Sequence, residues 1–147
     1  MKPFIFLTLL LFACKANAQN KIYDSVLAKK LGADNNGMKG YILVLLKTGQ
    51  NKTTNQSFID SCFAGHMKNM GVMVKANQLV VAGPLGKNDK TYRGIFILNL
   101  TSIEEAEKLL QTDPAIHAGL LAAELYKWYG SAALGEYLPF AEKINKN

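Results

Sequence analysis

Gly40–Lys47 reads GYILVLLK: six consecutive apolar residues framed by a glycine and a lysine. A run of this length, rich in branched side chains, reads as a strand. A strand with one face in water alternates apolar with polar positions, and this one does not. Tyr41, Leu43 and Leu45 on one side and Ile42, Val44 and Leu46 on the other all require cover. Arg93–Leu98 (RGIFIL) shows the same property, with Ile95 and Ile97 opposed to Phe96 and Leu98. Two strands that are apolar on both faces belong at the centre of a sheet.

Outward from the first strand, Thr48–Gln56 is polar and loop-like. Phe58, Ile59, Cys62, Phe63, Met67, Met70 and Met73 then predict a helix from Phe58 to about Val74. Leu79–Ala82 is a short strand ending at Gly83-Pro84, and the polar turn Gly86–Lys90 leads into a strand over Tyr92–Leu100. Thr101-Ser102 opens a second helix with Ile103, Ala106, Leu109 and Leu110 as its buried stripe; Ser102 with Glu105 reads as a capping box. Asp113-Pro114 restarts a short helical turn, with Asp113 as N-cap and Pro114 at the first position, and Gly119 stops it. Leu121–Tyr129 is a fourth strand, closed by Gly130-Ser131. Flanking this core, Ile22–Leu31 has helical spacing before the loop Asp34–Gly37, and a C-terminal helix spans about Tyr137–Ile144, interrupted early by Pro139.

The order β-α-β-β-α-β is the split βαβ arrangement. It predicts an α+β, ferredoxin-like fold: a four-stranded antiparallel sheet, first and third strands central, both helices on one face. The other face then needs a cover that the small N-terminal helix does not supply. A second copy packed face to face about a two-fold axis supplies it, so a homodimer through the sheet face is expected.

The chain has 147 residues, is 49% hydrophobic and 19% charged, and carries a formal charge of +6. That length fits one domain and the composition fits a packed core rather than a disordered chain. Met1-Lys2, the apolar Pro3–Cys14 and the small-residue pattern Ala16-Asn17-Ala18 read as an export signal over 1–18, removed to leave a periplasmic or secreted chain. The competing reading takes Leu11–Cys14 as a lipoprotein box with Cys14 acylated; membrane attachment is expected only in that case. The expected layout is 1–18 signal, 19–38 N-terminal helix and linker, 39–131 main domain and 132–147 C-terminal tail. Without the signal the only cysteine is Cys62, read as a buried small hydrophobe rather than a nucleophile. The lysines are scattered, with no basic stripe interleaved with aromatics, so no nucleic-acid partner is expected.

Chemistry-bearing residues are few. His66 falls on the stripe Ile59-Phe63-His66-Met70, the sheet-facing side of the first long helix. The commoner role for such a residue is a core histidine bonded to a backbone carbonyl; the sharper one is an acid–base group. Asp113 is its candidate partner, although capping the next turn would by itself satisfy that carboxylate. A carboxylate on one imidazole nitrogen fixes the tautomer and frees the other nitrogen for proton transfer. His117 reads as a surface residue. No set of His, Cys, Asp and Glu stands at ligand spacing, so neither a metal nor another cofactor is expected. Gly83-Pro84 is either a sheet-closing bulge or the floor of a pocket. Trp128, with Tyr126 and Tyr129, either packs an edge strand or lines a pocket. Lys87, Lys90 and Arg93 flank the central hairpin, as a solvated turn or as an attraction for an anion.

Taken together, His66 in a helix, LVVAGPL (Leu79–Leu85), RGIFIL (Arg93–Leu98), SIEEAEKLL (Ser102–Leu110), DPAIHAG (Asp113–Gly119) and ELYKWYGS (Glu124–Ser131) resemble the YCII-related domain family of the dimeric α+β barrel superfamily. The resemblance covers roughly 39–131. It implies a pocket between helices and sheet with a His–Asp pair, matching His66 and Asp113, and a Gly-Pro after the second strand, matching Gly83 and Pro84 as substrate-binding positions. The signal, the N-terminal helix and the tail are departures from that family, which is mostly compact and cytoplasmic. Two functions follow as expectations. One is a small-molecule lyase or isomerase in which His66 moves a proton and Asp113 orients it. The other is a non-catalytic periplasmic ligand-binding or structural dimer.

Overall fold

The computed structural model describes residues 22–144 and Lys146. The expected export signal and the Cys14 alternative lie outside the described residues. Four strands, β1 (Met38–Thr48), β2 (Leu79–Pro84), β3 (Tyr92–Leu98) and β4 (Leu121–Ser131), form one antiparallel sheet in the order β2-β3-β1-β4. The two doubly apolar strands are the central pair, as their composition requires. Register alternates the faces: Ile42↔Leu98 and Val44↔Phe96 point one way, Leu43↔Ile97 and Leu45↔Ile95 the other.

Helices cover the first of these faces. The helix α1 (Ser25–Leu31) is a small N-terminal addition that starts three residues later than its spacing suggested, capped by Asp24, whose carboxylate accepts from the Val26 and Leu27 N–H. The helix α2 (Gln56–Lys75) begins at Asn55, whose side chain accepts from the Phe58 N–H. The helix α3 (Ile103–Leu110) begins at Ser102, but only half of the expected capping box forms. The Ser102 hydroxyl accepts from the Glu105 N–H and donates to the Glu104 carboxylate, while the reciprocal bond from the Ser102 N–H to the Glu105 carboxylate does not form. The short α4 (Pro114–His117) has Asp113 as N-cap and ends before Gly119, which takes a φ of 69°. Ile42, Val44, Leu46, Phe96 and Leu98 bury themselves against Cys62, Met73, Ala106, Leu110 and Ala115. Cys62 is a free, buried thiol within that core.

The opposite face departs from expectation. The tail does not wait for Tyr137 to become helical: a 3-10 segment over Ala132–Tyr137 precedes α5 (Leu138–Ala141). Pro139, read as an interruption, sits at the second position of α5, where its missing N–H has no helical partner to lose. The 3-10 segment folds back over the sheet, so one end of the second face is covered within the subunit. Tyr41, Val80 and Ile97 are buried there, with Trp128 and Leu134 packed on them. The Tyr41 hydroxyl donates to the Ser131 carbonyl at 2.8 Å and the Tyr137 hydroxyl to the Val80 carbonyl at 2.5 Å. Alternation puts Val80 in this second cluster, and a register shift between Leu79 and Val81 turns Val81 onto the same face. The other end stays open, with Leu43, Leu45 and Ile95 half-buried and Tyr126 half exposed. Lys47 and Glu124 form a 2.6 Å ion pair on that face. Its hydrogen bond is the main reason the Glu124 carboxyl lies below its ordinary range and the Lys47 ammonium above its own. Among the described residues no helix is long and apolar enough to cross a membrane.

Candidate active site

His66 lies in the middle of α2 on its sheet-facing side and is 8% exposed. Asp113, fully buried, lies at the break between α3 and α4. The packing of α2 against α4 brings them together: His66 Nδ1 is 2.7 Å from Asp113 Oδ2. The capping role and the pairing role expected as alternatives coexist, one on each oxygen. Oδ1 accepts from the Ala115 and Ile116 N–H at 2.9 and 3.2 Å, and Oδ2 faces the imidazole.

Burial pushes the Asp113 carboxyl up, but the hydrogen bond and charge of His66, with the two capping N–H groups, outweigh it and hold the carboxyl below its ordinary value. The group is therefore a carboxylate near neutral pH and accepts only. Nδ1 must carry the donated proton, which leaves Nε2 with a lone pair in the neutral ring. Nε2 makes no hydrogen bond, whereas every fully buried side-chain nitrogen and oxygen among the described residues has a partner. Nε2 is thus the atom that meets open space.

That space is a cavity of about 420 Å³ between α2 and the sheet. Phe63, Met67 and Met70 of α2 line one side; Leu46, Phe96 and the Ala82-Gly83-Pro84 corner of β2 line the other. The imidazole is clamped by aromatic rings. Phe96 stacks on it at 5.8 Å between centroids and 18° between planes, and Phe63 meets it edge-on at 6.2 Å. The walls around this nitrogen are thus mainly apolar, with Arg93 at the margin.

Gly83 and Pro84 line the cavity, the second of the two places left open to them. A Cβ on Gly83 would meet nothing within 4 Å, so Gly83 is not the glycine that permits close approach. Gly94 is: its Cβ would lie 2.8 Å from the Gly83 carbonyl oxygen. Close approach is a property of a pair across the ladder, and here the glycine it requires stands on β3, opposite the Gly83-Pro84 corner. β4 reaches this cavity only through Leu121; its aromatic residues Tyr126, Trp128 and Tyr129 do not line it. Trp128 packs on Tyr41 on the far face, 5.6 Å between centroids, and the Tyr129 hydroxyl bonds the Asp34 carboxylate. His117 is exposed. Of the three cations at the hairpin only Arg93 borders the cavity. Phe96 was missed as a site residue, although its place with Leu98 on one apolar face of the third strand was the available signal.

A larger recess, about 570 Å³, lies between α3 and β4 beside Glu104, Glu107 and Lys108. Neither histidine lines it and it lies outside the His–Asp chemistry. Among the described residues no three metal-ligating side chains converge.

No family model matches the chain, and no curated protein does. Among solved structures the chain is similar to the 5-chloro-2-hydroxyhydroquinone dehydrochlorinase TftG from Burkholderia phenoliruptrix, in complex with 2,5-dihydroxybenzoquinone. The identity is 28%, over 58% of this chain and 92% of that one, with a TM-score of 0.41. Spatial agreement at that level carries no weight for this chain; its fold rests on its own strand order and register.

Proposed function

We propose that the protein is a small-molecule lyase or isomerase whose general acid–base group is His66, held by Asp113. The observation that supports this most is the 2.7 Å Nδ1–Oδ2 contact combined with an Nε2 that opens onto a 420 Å³ apolar cavity. Nε2 takes a proton from a carbon beside a carbonyl or on a phenolic ring, and the imidazolium returns it to the product or the leaving group. Asp113 keeps the reactive tautomer and stabilises the imidazolium that forms; it is a positioning residue, since it does not reach the cavity. A non-catalytic binder needs no partnered imidazole with a free nitrogen in the wall of its pocket.

Within the same reading the chain is a YCII-like domain, a homodimer through the open end of the sheet face, and an exported protein whose first eighteen residues are removed. Support for the dimer is the half-buried aliphatic patch Leu43, Leu45 and Ile95 on central strands. Export is tested by N-terminal sequencing of the processed chain. A start at Gln19 supports the secreted form, and a blocked, acylated Cys14 replaces it with the lipoprotein.

The catalytic reading is tested by incubating the protein in D2O with a panel of small carbonyl compounds and phenols and following C–H exchange by NMR. At least one compound that occupies the cavity is expected to exchange, with His66→Gln slower by about 10²-fold or more. Cavity-bound compounds that exchange equally with wild type and His66→Gln overturn the enzyme and leave a binding protein.

A further inference from the structure

Arg93 is the residue that the β1–β3 ladder skips. Register runs from Leu46↔Gly94 directly to Lys47↔Tyr92, so Arg93 has no cross-strand partner in β1. Such a bulge re-aims a side chain, and bulges gather beside active sites for that reason. Arg93 borders the same cavity as His66. It is exposed, and among the described residues it forms no ion pair.

No carboxylate lines the cavity. The nearest acid of the site, Asp113, lies behind the imidazole with both oxygens already engaged. The neighbouring turn adds Lys87 and Lys90 against a single Asp89. An apolar chamber therefore has one uncompensated guanidinium at its margin. A guanidinium forks two N–H groups to a carboxylate in a geometry that neither a hydroxyl nor an amide reproduces.

We propose that the substrate is a small carboxylic acid, its carboxylate held by Arg93 while its flat apolar body enters the cavity and presents the reacting carbon to His66 Nε2. This deepens the acid–base reading of His66 and rests on it. It divides the labour of the site: Arg93 selects and orients, and His66 moves the proton.

The test uses a matched pair of probes, 4-hydroxybenzoate and 4-hydroxybenzamide, which share a shape and differ in charge. Affinities are measured by calorimetry at low and high salt, and the His66 imidazole signals are followed by NMR as the marker of location. The acid is expected to bind about tenfold more tightly than the amide, with the gap narrowing as salt rises. Arg93→Gln is expected to remove the gap by weakening the acid alone, and Arg93→Lys to keep part of it. Shifts of the His66 signals with equal affinities, or an acid preference that survives Arg93→Gln, overturn the anion assignment and leave the acid–base site standing. If neither probe moves the His66 signals, the proposal falls together with the reading beneath it.

Discussion

Asp113 Oδ1 is spent on the first turn of α4 and Oδ2 on His66, so the two uses are separable by substitution. Asparagine keeps an acceptor for the cap and loses the charge. The folded-state carboxyl lies below its ordinary 3.8, so the stability it contributes is present above that value and disappears as pH falls through the folded-state value. Asp113→Asn is therefore expected to cost about 1–3 kcal/mol near neutral pH, with the deficit closing in acid. Urea midpoints of both proteins from about pH 7 to about pH 2.5 check this; a deficit that does not change with pH counts against an ionised pair. Asp113→Ala loses the cap as well and is expected to lose roughly 1 kcal/mol more. His66 was legible as a sheet-facing histidine, because a stripe at helical spacing is a local pattern. Its bond to Asp113, 47 residues away, was only one of two readings, because no local rule sets how two helices meet.

Gly65 shows how a pair of elements sets that distance. A Cβ there would lie 2.7 Å from Pro114 Cγ, and Gly65 and Pro114 are the immediate neighbours of His66 and Asp113. Gly65→Ala gains roughly 1 kcal/mol of helix propensity but overpacks the contact at roughly 1–3 kcal/mol, so the strain wins. The variant is expected to melt lower and to push α2 from α4. The loosened pair should slow any His66-dependent exchange about tenfold; unchanged His66 NMR signals would refute this. The β2–β3 pair gives a second contrast. Gly94→Ala is expected to cost roughly 1–3 kcal/mol, while Gly83→Ala costs well under 1 kcal/mol, since its Cβ meets nothing within 4 Å. Denaturation of the two variants side by side checks this. Gly65 and Gly94 carry no sequence signal, because the atoms that forbid their substitution belong to other elements.

For the whole molecule, the decisive surface is the half of the sheet that the tail leaves open. Leu45 lies at its centre, on β1 opposite Ile95 of β3 and Glu124 of β4. If a second copy docks there, Leu45→Lys places two like charges near the two-fold axis and should halve the mass seen by sedimentation without unfolding the subunit. A wild-type chain that sediments as a monomer removes the proposed interface. The sequence by itself determined the strands and helices, their order, the central position of β1 and β3 and the inward face of α2. All of these follow from periodicity and from the cost of wetting apolar side chains, which act along the chain. Only the tertiary structure decided that Asp113 serves His66 and its own helix at once, that Gly94 rather than Gly83 is the close contact, that Arg93 joins the cavity while Lys87 and Lys90 do not, and that the tail shields part of the sheet. Those outcomes depend on the separation and registry of elements distant in the chain, which no local pattern encodes.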